Sequence, residues 1–174
     1  YYLIPGQDGK RLVDWSLTVL GAVYVGLLLG QLTVLRGWSN GAWWVGLVFL
    51  ITWGYDTGAY CSGRLFGSRP FMAHISAKKT VEGVQGGLIL SSLAGCISVP
   101  ALGLNVWQGL LIGFLGGVAA QTGDLVESMI KRQVGAKDSG TIIPGHGGLL
   151  DRIDSLLFTA VVAVYAARAF GYGP

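Results

Sequence analysis

The densest run of chemically capable residues is GDLVESMIKRQVGAKDSGTIIPGHGGLLDRIDS, from Gly123 to Ser155. Asp124, Ser128 and Lys131 are spaced i, i+4, i+7, so they share one face if this segment stays helical to its end. Arg132 and Lys137 add positive charge and Asp138 a further acid. A glycine-rich PGHGG turn follows, carrying His146, Gly147 and Gly148. Asp151 and Asp154, at i and i+3, then open the next apolar segment with Arg152 between them. Carboxylates arriving from different elements beside lysines and arginines suit metal–phosphate chemistry. Mg²⁺ prefers oxygen ligands and usually binds through one or two carboxylates plus substrate phosphates. Basic side chains offset the charge that develops on a transferred phosphoryl group. Each feature also has a plainer reading. Asp154 could cap a helix, Glu127 and Lys131 could form an exposed i, i+4 pair, and Lys131 with Arg132 could anchor a helix at lipid headgroups. Several acids interleaved with bases within so short a stretch exceed what a topology anchor needs.

A second run, WGYDTGAYCSGRLFGSRPFMAHISAKKTVEG, extends from Trp53 to Gly83. Asp56 lies inside an apolar segment, where an ionisable side chain is costly and therefore functional by default. Its plainer reading is a buried polar group bonded to a neighbouring helix. Beyond it, Tyr60, Arg64, Ser76, Lys78, Lys79 and Thr80 form a set suited to phosphate oxygens, Arg being capable of bidentate contacts. A basic loop resting on anionic lipid is the alternative.

The elements that must position these residues are membrane helices. The chain has 174 residues, 52% hydrophobic and only 12% charged, about half the charged fraction of an average soluble domain. Spanning a bilayer takes about 20 mostly apolar residues, and five segments qualify: 12–35, 42–61, 84–104, 106–130 and 154–170. Pro100 interrupts the third near its end, and the fifth is short. The expected fold is all-α: a polytopic membrane helix bundle of about five transmembrane helices, forming a single membrane-embedded domain over 1–174. Ten of the twelve Lys and Arg residues fall on one side of this arrangement, leaving only Arg36 and Arg168 opposite. That asymmetry places the 62–83 and 131–153 loops in the cytoplasm. The formal charge of +3 makes no case for nucleic acid. Cys61 and Cys96 supply neither a disulfide framework nor a zinc cluster, and read as small buried apolar residues.

The run S-M-I-K-R-x4-K-D-S-G-x3-P-G-H-G-G-x2-D-R-I-D, Ser128 to Asp154, resembles the motif of the phosphatidate cytidylyltransferases (CDP-diacylglycerol synthases). The D-T-x-A-Y-x2-G-R-x2-G stretch from Asp56 and the I-S-x-K-K-T-x-E-G stretch from Ile75 resemble two further blocks of that family, in the same order. The resemblance covers about residues 45–160, with Ala77 where the family usually has Pro and Ser68 where it commonly has Lys. It implies transfer of the CMP moiety of CTP to phosphatidate, giving CDP-diacylglycerol and pyrophosphate. It also implies Asp124 and Asp151 as Mg²⁺ ligands, with Asp154 or Asp138 in support and a second cation such as K⁺ as an option. Ser128, Lys131, Arg132 and Arg152 would hold phosphates, and His146 with Gly147 and Gly148 would shape the nucleotide loop. The expected partners are CTP, phosphatidate and membrane lipid, a homodimer being left open. The expected place is a bacterial inner (cell) membrane with the site facing the cytoplasm. The family's additional N-terminal spans are absent, so an N-terminally truncated member is expected. Three rivals stand beside this reading. A polyprenol-kinase-like enzyme would move the γ-phosphate of CTP instead. A CDP-alcohol phosphotransferase would need a D-G-x2-A-R…G-x3-D-x3-D pattern, which is not found. A small ion transporter would use Asp56 and Asp124 as relays and have no need of the KRx4KD…GHGG loop.

Overall fold

The computed structural model of the chain describes residues 10–76, 78–133, 135–136, 139–140 and 148–174. Among the described residues six helices run in chain order: α1 (Lys10–Arg36), α2 (Gly41–Phe66), α3 (Val81–Ile97), α4 (Val99–Leu102), α5 (Val106–Gln133) and α6 (Leu150–Ala169). Among the described residues the sole β feature is one antiparallel bridge, Pro70 with Thr80. The all-α expectation holds, and each expected apolar segment coincides with helix. The third is split, because Pro100 has no amide proton to continue the ladder and sits in the first turn of the short α4, which Gly103 ends at φ 67°.

Two helices, Asp14–Arg36 and Val106–Gln133, are long and apolar enough to cross a membrane, and Val81–Ile97 is apolar but shorter. The other two long helices carry the site's own charges, Asp56 and Arg64 on α2 and Asp151, Arg152 and Asp154 on α6. Large apolar side chains nonetheless face outward on several helices, among them Trp15, Leu20, Leu27, Trp53, Ile89 and Ile97. So much outward apolar surface suits lipid rather than water. Cys61, expected to be buried, is exposed on the same outward surface of α2.

Small residues set the helix spacing. A Cβ on Gly86 would lie 1.9 Å from Ser62 Oγ, and one on Gly58 would lie 2.4 Å from the Gly86 carbonyl oxygen. The α2–α3 contact therefore closes backbone to backbone, as small residues allow in lipid. At one end of the bundle an apolar core gathers Leu35, Trp38, Trp44, Leu47, Leu102, Leu104 and Ala167. Tyr172 donates to the Gly103 carbonyl at 2.8 Å, Asn40 to that of Ala101 at 3.2 Å, and Arg168 lies 5.8 Å from the Trp38 ring centroid. The two basic residues set apart by the sequence, Arg36 and Arg168, belong to this end. Helices α2 and α5 both run away from it, so their charged C-terminal halves arrive together at the other.

Candidate functional site

The loop between α2 and α3 is folded back and pinned. Phe71 N donates to Lys79 O at 2.8 Å and Val81 N to Arg69 O at 2.9 Å, flanking the Pro70–Thr80 bridge. Glu82, in the first turn of α3, accepts from Ser68 N (3.1 Å), Ser68 Oγ (3.1 Å), Arg69 N (3.2 Å) and Arg69 Nε (2.8 Å). The Arg69 bond foremost, and then the main-chain donors, hold the Glu82 carboxyl well below the ordinary glutamate range. Thr80 caps α3 through its hydroxyl, which accepts from Gly83 N at 3.1 Å. This scaffold directs Lys78 and Lys79 toward α5, where Lys79 Nζ meets Asp124 Oδ2 at 2.5 Å.

A cleft of about 550 Å³ results, lined by Asp56, Tyr60, Arg64, Lys78, Lys79, Thr80 and Asp124 among others. Arg64 donates to the Tyr60 hydroxyl at 2.7 Å. A second cleft of about 360 Å³ is lined by Asp56 together with Asp151, Arg152 and Asp154. Asp56 thus borders both, and it is exposed within them rather than sealed between helices. The two motif-bearing regions, 53–83 and 123–155, meet at this carboxylate.

Lys131 turns away from the first cleft. Its Nζ lies 2.5 Å from Glu127 Oε2 and 2.6 Å from Asp151 Oδ1. The other oxygen of Asp151 accepts from Ser139 N (2.9 Å), Ser139 Oγ (2.8 Å) and Gly148 N (2.7 Å). Partial burial pushes the Asp151 carboxyl up, but Lys131 and these loop donors outweigh it and hold the group well below the ordinary aspartate range. Asp151 precedes the apolar stretch of α6 and ties three segments together. Ser128 donates to Asp124 Oδ1 at 3.3 Å, and Arg132 is exposed in the last turn of α5. Ser76 is half-buried in the pinned loop and lines neither cleft. Gly148 is buried. Lys137, Asp138, His146 and Gly147 lie outside the described residues.

Two plain readings need correction. Asp154 is no N-cap, because α6 begins at Leu150 and Asp154 sits in its second turn, buried. Glu127 does pair with Lys131 at i, i+4, yet it is only 2% exposed, since α6 covers that face of α5. Sequence reasoning passed over Gln121 and Tyr55, which also line the larger cleft. A lone carboxamide within an apolar segment was the available signal.

The carboxylates suit Mg²⁺ in kind, being hard oxygen donors. Their arrangement is charge-balanced by lysine, Asp124 with Lys79 and Asp151 with Lys131. Among the described residues no group of three or more acidic, histidine or cysteine side chains is set to enclose a metal. A site here would have to complete its shell with substrate oxygens.

Known proteins place the chain. A Staphylococcus haemolyticus protein named phosphatidate cytidylyltransferase is 39% identical over 159 residues, covering 90% of this chain and 60% of that protein. A Mycobacterium tuberculosis protein of the same name is 42% identical over 158 residues, covering 90% of this chain and 48% of its own length. The uncharacterized protein YnbB of Escherichia coli is 43% identical over 156 residues, covering 88% of this chain and 51% of its own. The chain therefore spans about half to three fifths of these curated relatives. The Cytidylyltransferase family matches residues 2–170, essentially from end to end, and the chain belongs to that family.

Proposed function

We propose that the chain carries the catalytic part of a phosphatidate cytidylyltransferase, transferring CMP from CTP to phosphatidate with release of pyrophosphate. The observation that carries this reading is the pair of clefts joined at Asp56, one rimmed by Arg64, Lys78 and Lys79, the other by Asp151, Arg152 and Asp154. Such a site can hold two phosphorylated substrates side by side. A phosphate oxygen of the lipid attacks the α-phosphorus of CTP, the bond to the β-phosphate oxygen breaks, and pyrophosphate leaves. The protein's share is positioning and charge neutralisation. Lys78, Lys79 and Arg64 bind phosphate oxygens in the larger cleft, and Arg152 does so in the smaller. Ser128 orients the Asp124 carboxylate. Asp124 and Asp151 would hold Mg²⁺, which when bound to the phosphates offsets charge on the leaving pyrophosphate.

The site faces the cytoplasm of the cell membrane on this reading, because the Lys- and Arg-rich end of the bundle is the cytoplasmic one. Ser68→Cys, at an exposed position of the α2–α3 loop and made the single cysteine by Cys61→Ser and Cys96→Ser, should be labelled by impermeant maleimide from the cytoplasmic side alone; labelling from outside reverses the topology.

The reaction is tested by incubating the purified protein in detergent with CTP, phosphatidate and Mg²⁺ and identifying the products. CDP-diacylglycerol and pyrophosphate are expected. Release of CDP with a newly phosphorylated lipid would instead establish a CTP-dependent lipid kinase.

A further inference from the structure

Among the described residues, two that line the larger cleft carry a buried polar atom without a hydrogen-bond partner: Lys79, whose Nζ has its ion pair with Asp124, and Gln121, at its Nε2. Gln121 is 8% exposed, and its Oε1 accepts a hydrogen bond from the Tyr55 hydroxyl. That bond fixes the carboxamide, committing its oxygen to α2 and leaving its two N–H donors for another acceptor. Tyr55 is itself held in place. Its ring packs so closely on Gly87 of α3 that a Cβ there would lie 2.7 Å from the ring edge. A buried donor pair on a residue of the cleft wall, without an acceptor among the described residues, is costly in the resting protein, and an acceptor arriving in the cleft removes the cost.

Depth decides which substrate brings that acceptor. Both α2 and α5 run toward the charged end, so Tyr55 lies below Asp56 and Arg64, and Gln121 below Asp124. Three residues of helix separate Gln121 from Asp124, an axial drop of about 4.5 Å toward the apolar interior. A phosphate held by Lys79 beside Asp124 would have its own molecule's next polar atoms at that depth. In a diacyl glycerophosphate those atoms are the acyl ester oxygens, whereas a nucleotide continues into polar ribose and base and has no reason to enter the apolar end. We infer that Gln121, oriented by Tyr55, donates to an acyl ester carbonyl of the lipid substrate and so selects ester-linked over ether-linked phosphatidate.

The inference rests on the cytidylyltransferase reading, and the experiment separates the two. The full chain is assayed in mixed micelles at saturating CTP, with diacyl phosphatidate or its dialkyl ether analogue, which lacks the carbonyl. Wild-type protein is expected to favour the ester by about tenfold in kcat/KM, the scale of one lost hydrogen bond from a placed donor. Gln121→Met should lower the ester value to that of the ether and leave KM for CTP within about twofold of wild type. Gln121→Glu keeps an acceptor for the Tyr55 hydroxyl while removing the donors, and should lose the preference in the same way. Tyr55→Phe keeps the amide but removes the bond that orients it, so the ester should still be favoured, by less than in wild type. Equal use of ester and ether by wild-type protein overturns the inference. So does an unchanged ratio in both Gln121 variants, or a loss that falls on CTP. Absence of any CDP-diacylglycerol from wild-type protein overturns the reaction and this inference together.

Discussion

Removal of Lys131 should be expensive, because it dissolves two ion pairs at once. Its ammonium is shared between Glu127 at 2.5 Å and Asp151 at 2.6 Å, with 18% of the lysine side chain and 3% of that of Glu127 exposed. In Lys131→Met, Asp151 keeps its donors from Ser139 and Gly148. Glu127 has no such reserve among the described residues, where its second oxygen is buried without a hydrogen-bond partner. Breaking a buried ion pair by deleting one member costs about 3–5 kcal/mol, because a desolvated charge is left behind. The partial exposure of Lys131 points to the lower end of that range. At roughly 2–4 °C per kcal/mol for a chain of this size, the loss corresponds to a fall of about 6–12 °C in Tm. Glu127→Gln removes the stranded charge, so the double variant Glu127→Gln/Lys131→Met should recover more than half of the drop. Tryptophan fluorescence during thermal unfolding in detergent reads both. A Lys131→Met variant within about 2 °C of wild type, or a double variant no more stable than the single, would refute the reasoning.

Three further outcomes follow from the same geometry. Asp124→Asn and Asp151→Asn, assayed for CDP-diacylglycerol across a Mg²⁺ titration, should each lose activity by about 10²-fold or more, as removal of a preorganised charge does; wild-type turnover with unchanged Mg²⁺ dependence in both would remove the metal assignment. Glu82→Gln should speed hydrogen exchange at the Ser68 and Arg69 amides at pH 7. Because the Glu82 carboxyl is held below its usual range, its contribution is complete above the unfolded glutamate value near pH 4.3 and fades as pH falls below it. Wild-type protection should therefore match at pH 5 and pH 7. Gly86→Val should unseat α3 from α2 and lower the folded yield sharply, whereas Gly26→Ala, whose Cβ would meet nothing within 4 Å, should be neutral or stabilise by up to about 1 kcal/mol, as measured by Tm.

How much of this was legible in the sequence depends on the range of the interaction concerned. Helix positions were readable because the bilayer imposes a length and an apolar content on each span, and the broken third segment announced itself through Pro100. The acids and bases of the site were readable as residue types in motif order. Their pairing was not. Lys79 and Asp124 are 45 residues apart and meet because the Glu82–Arg69 clasp folds the loop over α5, which no local periodicity encodes. Lys131 was readable as a phosphate ligand or as a partner of Glu127, but its pairing with Asp151 depends on where α6 packs. Glu127 looked exposed because a helix read alone does not reveal which face its neighbour covers.

The lysine–carboxylate pairing bears on how such a site could work in a membrane. Asp124 and Asp151 are each paired with a lysine, so neither is left as an uncompensated carboxylate at the rim of an apolar bundle, where one would be costly. A phosphate dianion competes for the same ammonium groups with more charge and more oxygens than a carboxylate offers. On the proposed reaction, substrate binding is then an exchange of partners: Lys79 passes from Asp124 to phosphate, and the released carboxylate becomes available to a cation that arrives with the nucleotide. The exchange keeps the local charge near balance at each stage and couples the two binding events. Lys79→Met should accordingly weaken phosphate binding while leaving Asp124 unpaired and open to Mg²⁺ in the absence of nucleotide. Direct titration of Mg²⁺ binding to the detergent-solubilised variant, against wild-type protein, measures that difference. Equal Mg²⁺ affinity in the two proteins would mean that Lys79 does not guard the carboxylate.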